Sequence, residues 1–200
     1  MNISKISKPF SLQVARSLST ILSPVAISLP FVFLVACSTN EPNTLLFAVL
    51  TLFFLSVGPL IYILIGMRLG KFTDIDVSVR SQRTGPFLFG IVSSLIGLFA
   101  LTMTNGPRNL ESVLLITAIS STVLLLITFW WKISMHASAL AGAVTMLSML
   151  YGIVMLPAFL LVILVSWSRV VLRRHTIAQV IIGSFTGIAL TWLCLTLRGF

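Results

Sequence analysis

The chain has 200 residues, 58% of them hydrophobic and only 8% charged, with a formal net charge of +9, and its mean hydropathy is +1.11. A soluble domain needs roughly a quarter of its residues charged to cover its surface, so this composition excludes one and places the chain in a bilayer. The basic excess lies in short loops between apolar runs, where it sets orientation or holds phosphate rather than nucleic acid.

In chain order, residues 1–18 carry Lys5, Lys8 and Arg16 with no acid and read as an interfacial amphipathic start. A first span is predicted over 19–37, ended by the polar turn STNEPN. LVAC at its end has the pattern of a lipoprotein cleavage site, but the segment before it is long for a signal peptide, so Cys37 is read as the outer end of a span. With Cys37 and Cys194 both at or inside spans, neither a disulfide framework nor a thiolate metal site is expected. A second span covers 44–67. Pro59 inside it predicts a kink, tolerable where a neighbouring helix satisfies the freed carbonyl.

The longest polar stretch follows, RLGKFTDIDVSVRSQRTGP over 68–86, with two of the four acidic residues and four of the thirteen basic ones. Spans over 87–104 and 112–131 are joined by the turn NGPRNLE. Residues 137–167 are too long for one span and break near 152–157, which predicts two short helices and a tight turn. A last span covers 177–197. The expected fold is an all-α polytopic membrane bundle of six or seven transmembrane helices, each crossing taking about 20 apolar residues.

Seven crossings put the N-terminus, the 68–86 loop, KISMH and SRVVLRRH on one side, with eleven of the thirteen basic residues; only Arg108 and Arg198 lie on the other. By the positive-inside rule the first side is cytoplasmic, and the cell's inner membrane is the expected location.

The only two histidines, His136 and His175, both fall in polar interruptions on that side. Ionisable groups at a membrane boundary are costly, so such clusters mark a site. Ser168-Arg169, then five residues, then His175, with Gln179 four further on, resembles the third signature of the type 2 phosphatidic acid phosphatase superfamily, Ser-Arg, five residues, His, three residues, Asp. KISMHA resembles its second signature, Pro-Ser-Gly-His, with Ser134 and His136 in register. The 68–86 loop lies where the first belongs.

The resemblance implies a fold and a chemistry. Residues 1–67 would be an N-terminal segment with two helices, and 68–200 the catalytic core. His175 would be a nucleophile forming a phosphohistidine, and His136 the acid that protonates the leaving oxygen. Gln179 would fix the imidazole tautomer without the charge of the family's Asp. Arg169, with Arg83, Arg80, Lys71 and Lys132, would clamp the phosphoryl oxygens, and Ser134 would add a donor. Asp74 or Asp76 could supply the missing carboxylate by folding over from the first loop.

The scheme needs no metal and no cofactor. The expected substrate is a membrane lipid carrying a phosphate or diphosphate, such as a phosphatidate or a polyprenyl phosphate. Two alternatives stand beside it: a weak or inactive relative that binds lipid headgroups or serves as a subunit of a membrane complex, and a phosphotransferase with a hydroxyl acceptor. The sequence leaves the oligomeric state open.

Overall fold

A computed structural model gives the fold of residues 10–200; Lys5 and Lys8 lie outside the described residues. These residues form nine α-helices: α1 (Phe10–Ile21), α2 (Pro24–Cys37), α3 (Thr44–Leu52), α4 (Gly58–Arg68), α5 (Thr84–Met103), α6 (Arg108–Trp130), α7 (Met135–Tyr151), α8 (Phe159–Val171) and α9 (Ile177–Leu197). Five helical segments are long and apolar enough to cross a membrane: Thr44–Arg68, Arg80–Met103, Arg108–Trp130, Met135–Val171 and Ile177–Leu197. A sixth arises if α1 and α2, bent by 46° at their junction, count as one. The fold is an all-helical polytopic bundle.

The segment Met135–Val171 is not a single crossing. As one straight helix its ends would stand about 55 Å apart, yet His136 in its first turn and Arg169 in its last both meet Asp76. It doubles back through a 3-10 turn over Gly152–Ala158, where Gly152 takes φ +74°, so α7 and α8 run antiparallel. The predicted break near 152–157 coincides with this turn.

Helix α1 begins at Phe10 instead of 19, because Ala15, Ser19 and Leu22 recur at helical spacing and bury one face. Leu18 and Leu22 pack with Leu140, Val144, Val162 and Val165. The chain then breaks at Ser23, which caps α2 by accepting the Ala26 N–H, with Pro24 at the first helical position. Helix α8 runs on to Val171, so Ser168 and Arg169 are helical and buried, where the sequence predicts them in the polar interruption before the last span.

The kink expected from Pro59 is a π-helical turn over Phe53–Val57. With bonds running i to i−5, proline's missing N–H orphans the Phe54 carbonyl. The Ser93 hydroxyl of α5 donates to that carbonyl at 2.7 Å, which is the cross-helix rescue a bilayer demands. The backbone passes close here as well: a Cβ at Gly97 would lie 2.7 Å from Cβ and Cγ of Phe54.

Polar groups gather at two ends. At one, Arg198 pairs with Glu111 at 3.0 Å, Arg108 bonds the Arg198 carbonyl, Asn109 bonds Ser38 and the Tyr151 hydroxyl bonds the Leu34 carbonyl. At the other lie the loop after α4, the turn before α7, the turn before α9 and Ser19. Buried apolar clusters fill the space between, and Val32 and Val35 of α2 share one of them with Leu101, Leu110 and Leu195. The first two spans therefore belong to the same core as the rest.

Candidate functional site

The spacing of Ser168-Arg169 to His175 has a local cause. Helix α8 ends in a turn where Arg173 adopts φ +53°, a conformation that costs a non-glycine residue about 1 kcal/mol. That turn lets the backbone N–H groups of Arg174 and His175 both donate to the Arg169 carbonyl, at 3.0 and 3.2 Å. His175 is thereby pinned beside Arg169. Thr176 then caps α9, with Gln179 closing a reciprocal capping box.

Gln179 also settles the state of the imidazole. Its Oε1 accepts the Thr176 N–H at 3.2 Å, and because a backbone N–H can only donate, that atom is the carbonyl oxygen. Nδ1 of His175, 3.2 Å from the same oxygen, must therefore carry the proton. The lone pair is left on Nε2. Burial pushes the His175 imidazole down to about 3, and the positive charges of Arg83, Arg169 and Lys132 add to that, against an upward pull from the Gln179 bond. The ring is neutral at physiological pH.

The two histidines are brought together by glycines. A Cβ at Gly183 would lie 2.7 Å from the Ser134 carbonyl oxygen, and one at Gly187 would lie 2.1 Å from that of Ser138. Only a bare Cα lets α9 press this closely on the start of α7. The Gln179 carbonyl also accepts the Ser134 N–H across the same contact.

Helix α7 opens with Ser134, whose hydroxyl accepts the Ala137 N–H as an N-cap. His136 follows in the first turn, 6% exposed, and its Nε2 has no hydrogen-bond partner. Asp76 reaches over from the loop after α4: its Oδ2 lies 2.7 Å from Nη1 of Arg169, its Oδ1 3.7 Å from Nε2 of His136. The same Arg169 nitrogen donates to Ser19 of α1 at 2.7 Å, while its Nε has no partner. Arg169 is 2% exposed. Burial acts to raise the Asp76 carboxyl, but His136, Arg169 and Arg174 outweigh it and hold the group below the usual carboxylate range.

Arg83 is a brace as well as a wall. Its Nε donates to the Val77 carbonyl at 2.9 Å and Nη1 to the Ile133 carbonyl at 3.1 Å, tying the loop to the turn before α7. Asp76, Arg83, His136, Arg169 and His175 all line one cavity of about 620 Å³, which continues between the helices past Phe31, Leu60, Phe87, Ile116 and Met146. Among the described residues no three His, Cys, Asp or Glu side chains gather as metal ligands.

Of the residues singled out from the sequence, His175, His136, Arg169 and Arg83 meet in this cavity. Gln179 stands behind His175, and Lys132 lies outside the wall but near enough for its charge to act on the imidazole. Three expected phosphate contacts are placed otherwise. Lys71 and Arg80 are exposed, and Arg80 reaches the Phe129 carbonyl instead. Ser134 does not line the cavity, and its hydroxyl oxygen accepts the Ala137 N–H as a cap. Asp76 does fold over, but to Arg169 and His136 and not to His175, and Asp74 stays in its own loop, accepting from Ser78. Ser19 had no signal in the sequence, because a serine on an interfacial helix 150 residues from Arg169 looks like any other.

Compared with protein-family models, with curated proteins and with solved structures, the chain finds no match.

Proposed function

We propose that the chain is a membrane lipid phosphatase, acting on a phosphate or diphosphate ester of the phosphatidate or polyprenyl phosphate type through a phosphohistidine. The observation that carries this reading is the convergence of a neutral His175, its Nε2 lone pair set by Gln179, with His136 and Arg169 in one cavity that has an apolar extension. The resemblance of SR-x5-H and KISMHA to the signatures of the type 2 phosphatidic acid phosphatases supports the assignment of roles.

In this mechanism Nε2 of His175 attacks phosphorus and the bond from phosphorus to the lipid oxygen breaks. His136 protonates that oxygen, so the lipid leaves as an alcohol. Water then attacks the phosphohistidine, gives its proton to His136, and releases phosphate with His175 restored. Arg169 and Arg83 neutralise charge on the equatorial oxygens in both steps. Gln179 accepts the Nδ1–H throughout, which stabilises the imidazolium less than a carboxylate would. The apolar walls receive the lipid tail.

The test is phosphate release by the purified protein, in EDTA, from phosphatidate, phosphatidylglycerol phosphate and prenyl phosphates. Release from at least one is expected. No release from any, by folded protein that binds headgroups, overturns the enzyme reading in favour of a lipid-headgroup binder. That second reading is favoured by one observation, the uncharged Gln179 behind His175.

Gln179→Leu is expected to lower kcat about 10- to 100-fold with little change in KM, since a residue that orients a catalytic imidazole acts on the chemical step. Unchanged kcat would remove the tautomer argument. The site is proposed to face the cytoplasm of a cell with an inner membrane. Ser81 is exposed in the loop beside it, so Ser81→Cys should be labelled by an impermeant thiol reagent from the cytoplasmic side alone; labelling from outside reverses the orientation.

A further inference from the structure

The carboxylate of Asp76 sits where an anion belongs. One oxygen is 2.7 Å from Arg169 and the other 3.7 Å from His136, inside the cavity that also exposes Arg83 and His175. Two buried nitrogens beside it, Nε of Arg169 and Nε2 of His136, have no hydrogen-bond partner. A buried group of this kind costs free energy until something bonds it. A carboxylate offers two oxygens and leaves both nitrogens unpartnered, whereas a phosphoryl group offers three.

The loop that carries Asp76 is held under strain. Val77, the next residue, is buried and has φ +45°, a region where a β-branched residue is an outlier. It is kept there by its own N–H bond to the Asp74 carbonyl and by Arg83 on its carbonyl, while Asp74 accepts from the N–H and hydroxyl of Ser78. Strain of this sort persists where surrounding contacts over-determine it, and one of those contacts is the Asp76–Arg169 pair.

We propose that Asp76 is a built-in occupant of the phosphate seat, which an incoming phosphomonoester dianion displaces and which keeps the singly charged diester headgroups of the surrounding bilayer out. This rests on the phosphate site proposed above. Displacement costs every anion the same, so it leaves the ratio of affinities unchanged. Its effect is to push the weaker ligands, the diesters, below their working concentration. A site at headgroup depth without Asp76 would stand filled by bulk phospholipid. When a dianion enters, it takes over Arg169 and leaves His136 still facing negative charge.

The experiment compares wild type, Asp76→Asn and Asp76→Glu, all checked for an unchanged unfolding temperature, in detergent micelles. Equilibrium binding of inorganic phosphate is expected to tighten tenfold or more in Asp76→Asn and to stay near wild type in Asp76→Glu, which keeps the charge. Phosphatidylglycerol should inhibit phosphate release by Asp76→Asn and leave wild type unaffected. Equal phosphate affinity in wild type and Asp76→Asn, with hydrolysis retained by the wild type, overturns this inference alone. Absence of phosphate binding in all three together with absence of hydrolysis overturns both it and the proposed phosphatase.

Discussion

His175→Ala is expected to reduce phosphate release about 10³-fold or more, an increase of ~4 kcal/mol in the barrier, because no other side chain in the cavity offers a free imidazole lone pair held against a fixed acceptor. The variant should still bind a phosphomonoester headgroup through Arg169. Retention of activity would remove the phosphohistidine and leave the cavity as a binding site.

The pH dependence tests whether His175 is held in the deprotonated form that this role needs. With His175 held down to about 3 by burial and by Arg83, Arg169 and Lys132, the nucleophile stays deprotonated across physiological pH. Activity lost on acidification between pH 4 and 7 must then come from a group other than His175. The same depression has a consequence for stability. A free histidine titrates near 6.5, so between there and about 3 the unfolded chain binds a proton that the folded chain does not.

Stability therefore rises with pH through that window. The contribution is fully present above about 6.5 and is lost as the pH falls toward 3. Thermal unfolding of wild type at pH 7 and pH 4.5 should show a loss that is smaller in His175→Ala. An equal loss in both would mean that His175 is not held neutral.

The second large effect belongs to Arg169. Arg169→Ala removes the 2.7 Å partner of Asp76 and the donor to Ser19, leaving a carboxylate among buried groups. The side chain of Asp76 is 31% exposed, so water recovers part of the loss. The expected destabilisation is about 2 kcal/mol, toward the low end for breaking a buried ion pair. Activity should fall about 10²- to 10³-fold with the loss of a donor aimed at the transferring group.

Arg169→Lys discriminates between the two contributions. It keeps the charge near Asp76 but lacks the planar fork that can hold Ser19 and an incoming phosphoryl group at once. The unfolding temperature should recover more than kcat/KM does. Recovery of both together would mean that Arg169 acts as a charge only.

The membrane-spanning helices were legible in the sequence because hydrocarbon imposes a single rule, about 20 apolar residues with internally bonded backbone, that Thr44–Arg68, Arg80–Met103, Arg108–Trp130 and Ile177–Leu197 each satisfy locally. The break between α7 and α8 and the distortion near Pro59 follow from local features too, an apolar run too long for one crossing and proline's missing N–H. So does the pinning of His175 over Arg169, since both lie in one turn of chain.

What only the tertiary structure decided is which polar groups meet across elements. Arg83 reads as a phosphate clamp in the sequence, and in the fold it also braces the loop by donating from Nε and Nη1 to the Val77 and Ile133 carbonyls. Ser134 caps its own helix and does not line the cavity. Asp76 finds Arg169 and His136, and Ser19 finds Arg169, through approaches set by bare glycine contacts between α9 and α7 and by the bend at Ser23. Side-chain partners at such range depend on helix rotation and separation to within an ångström. A hydrophobic pattern specifies which face is buried, but not which buried donor meets which acceptor.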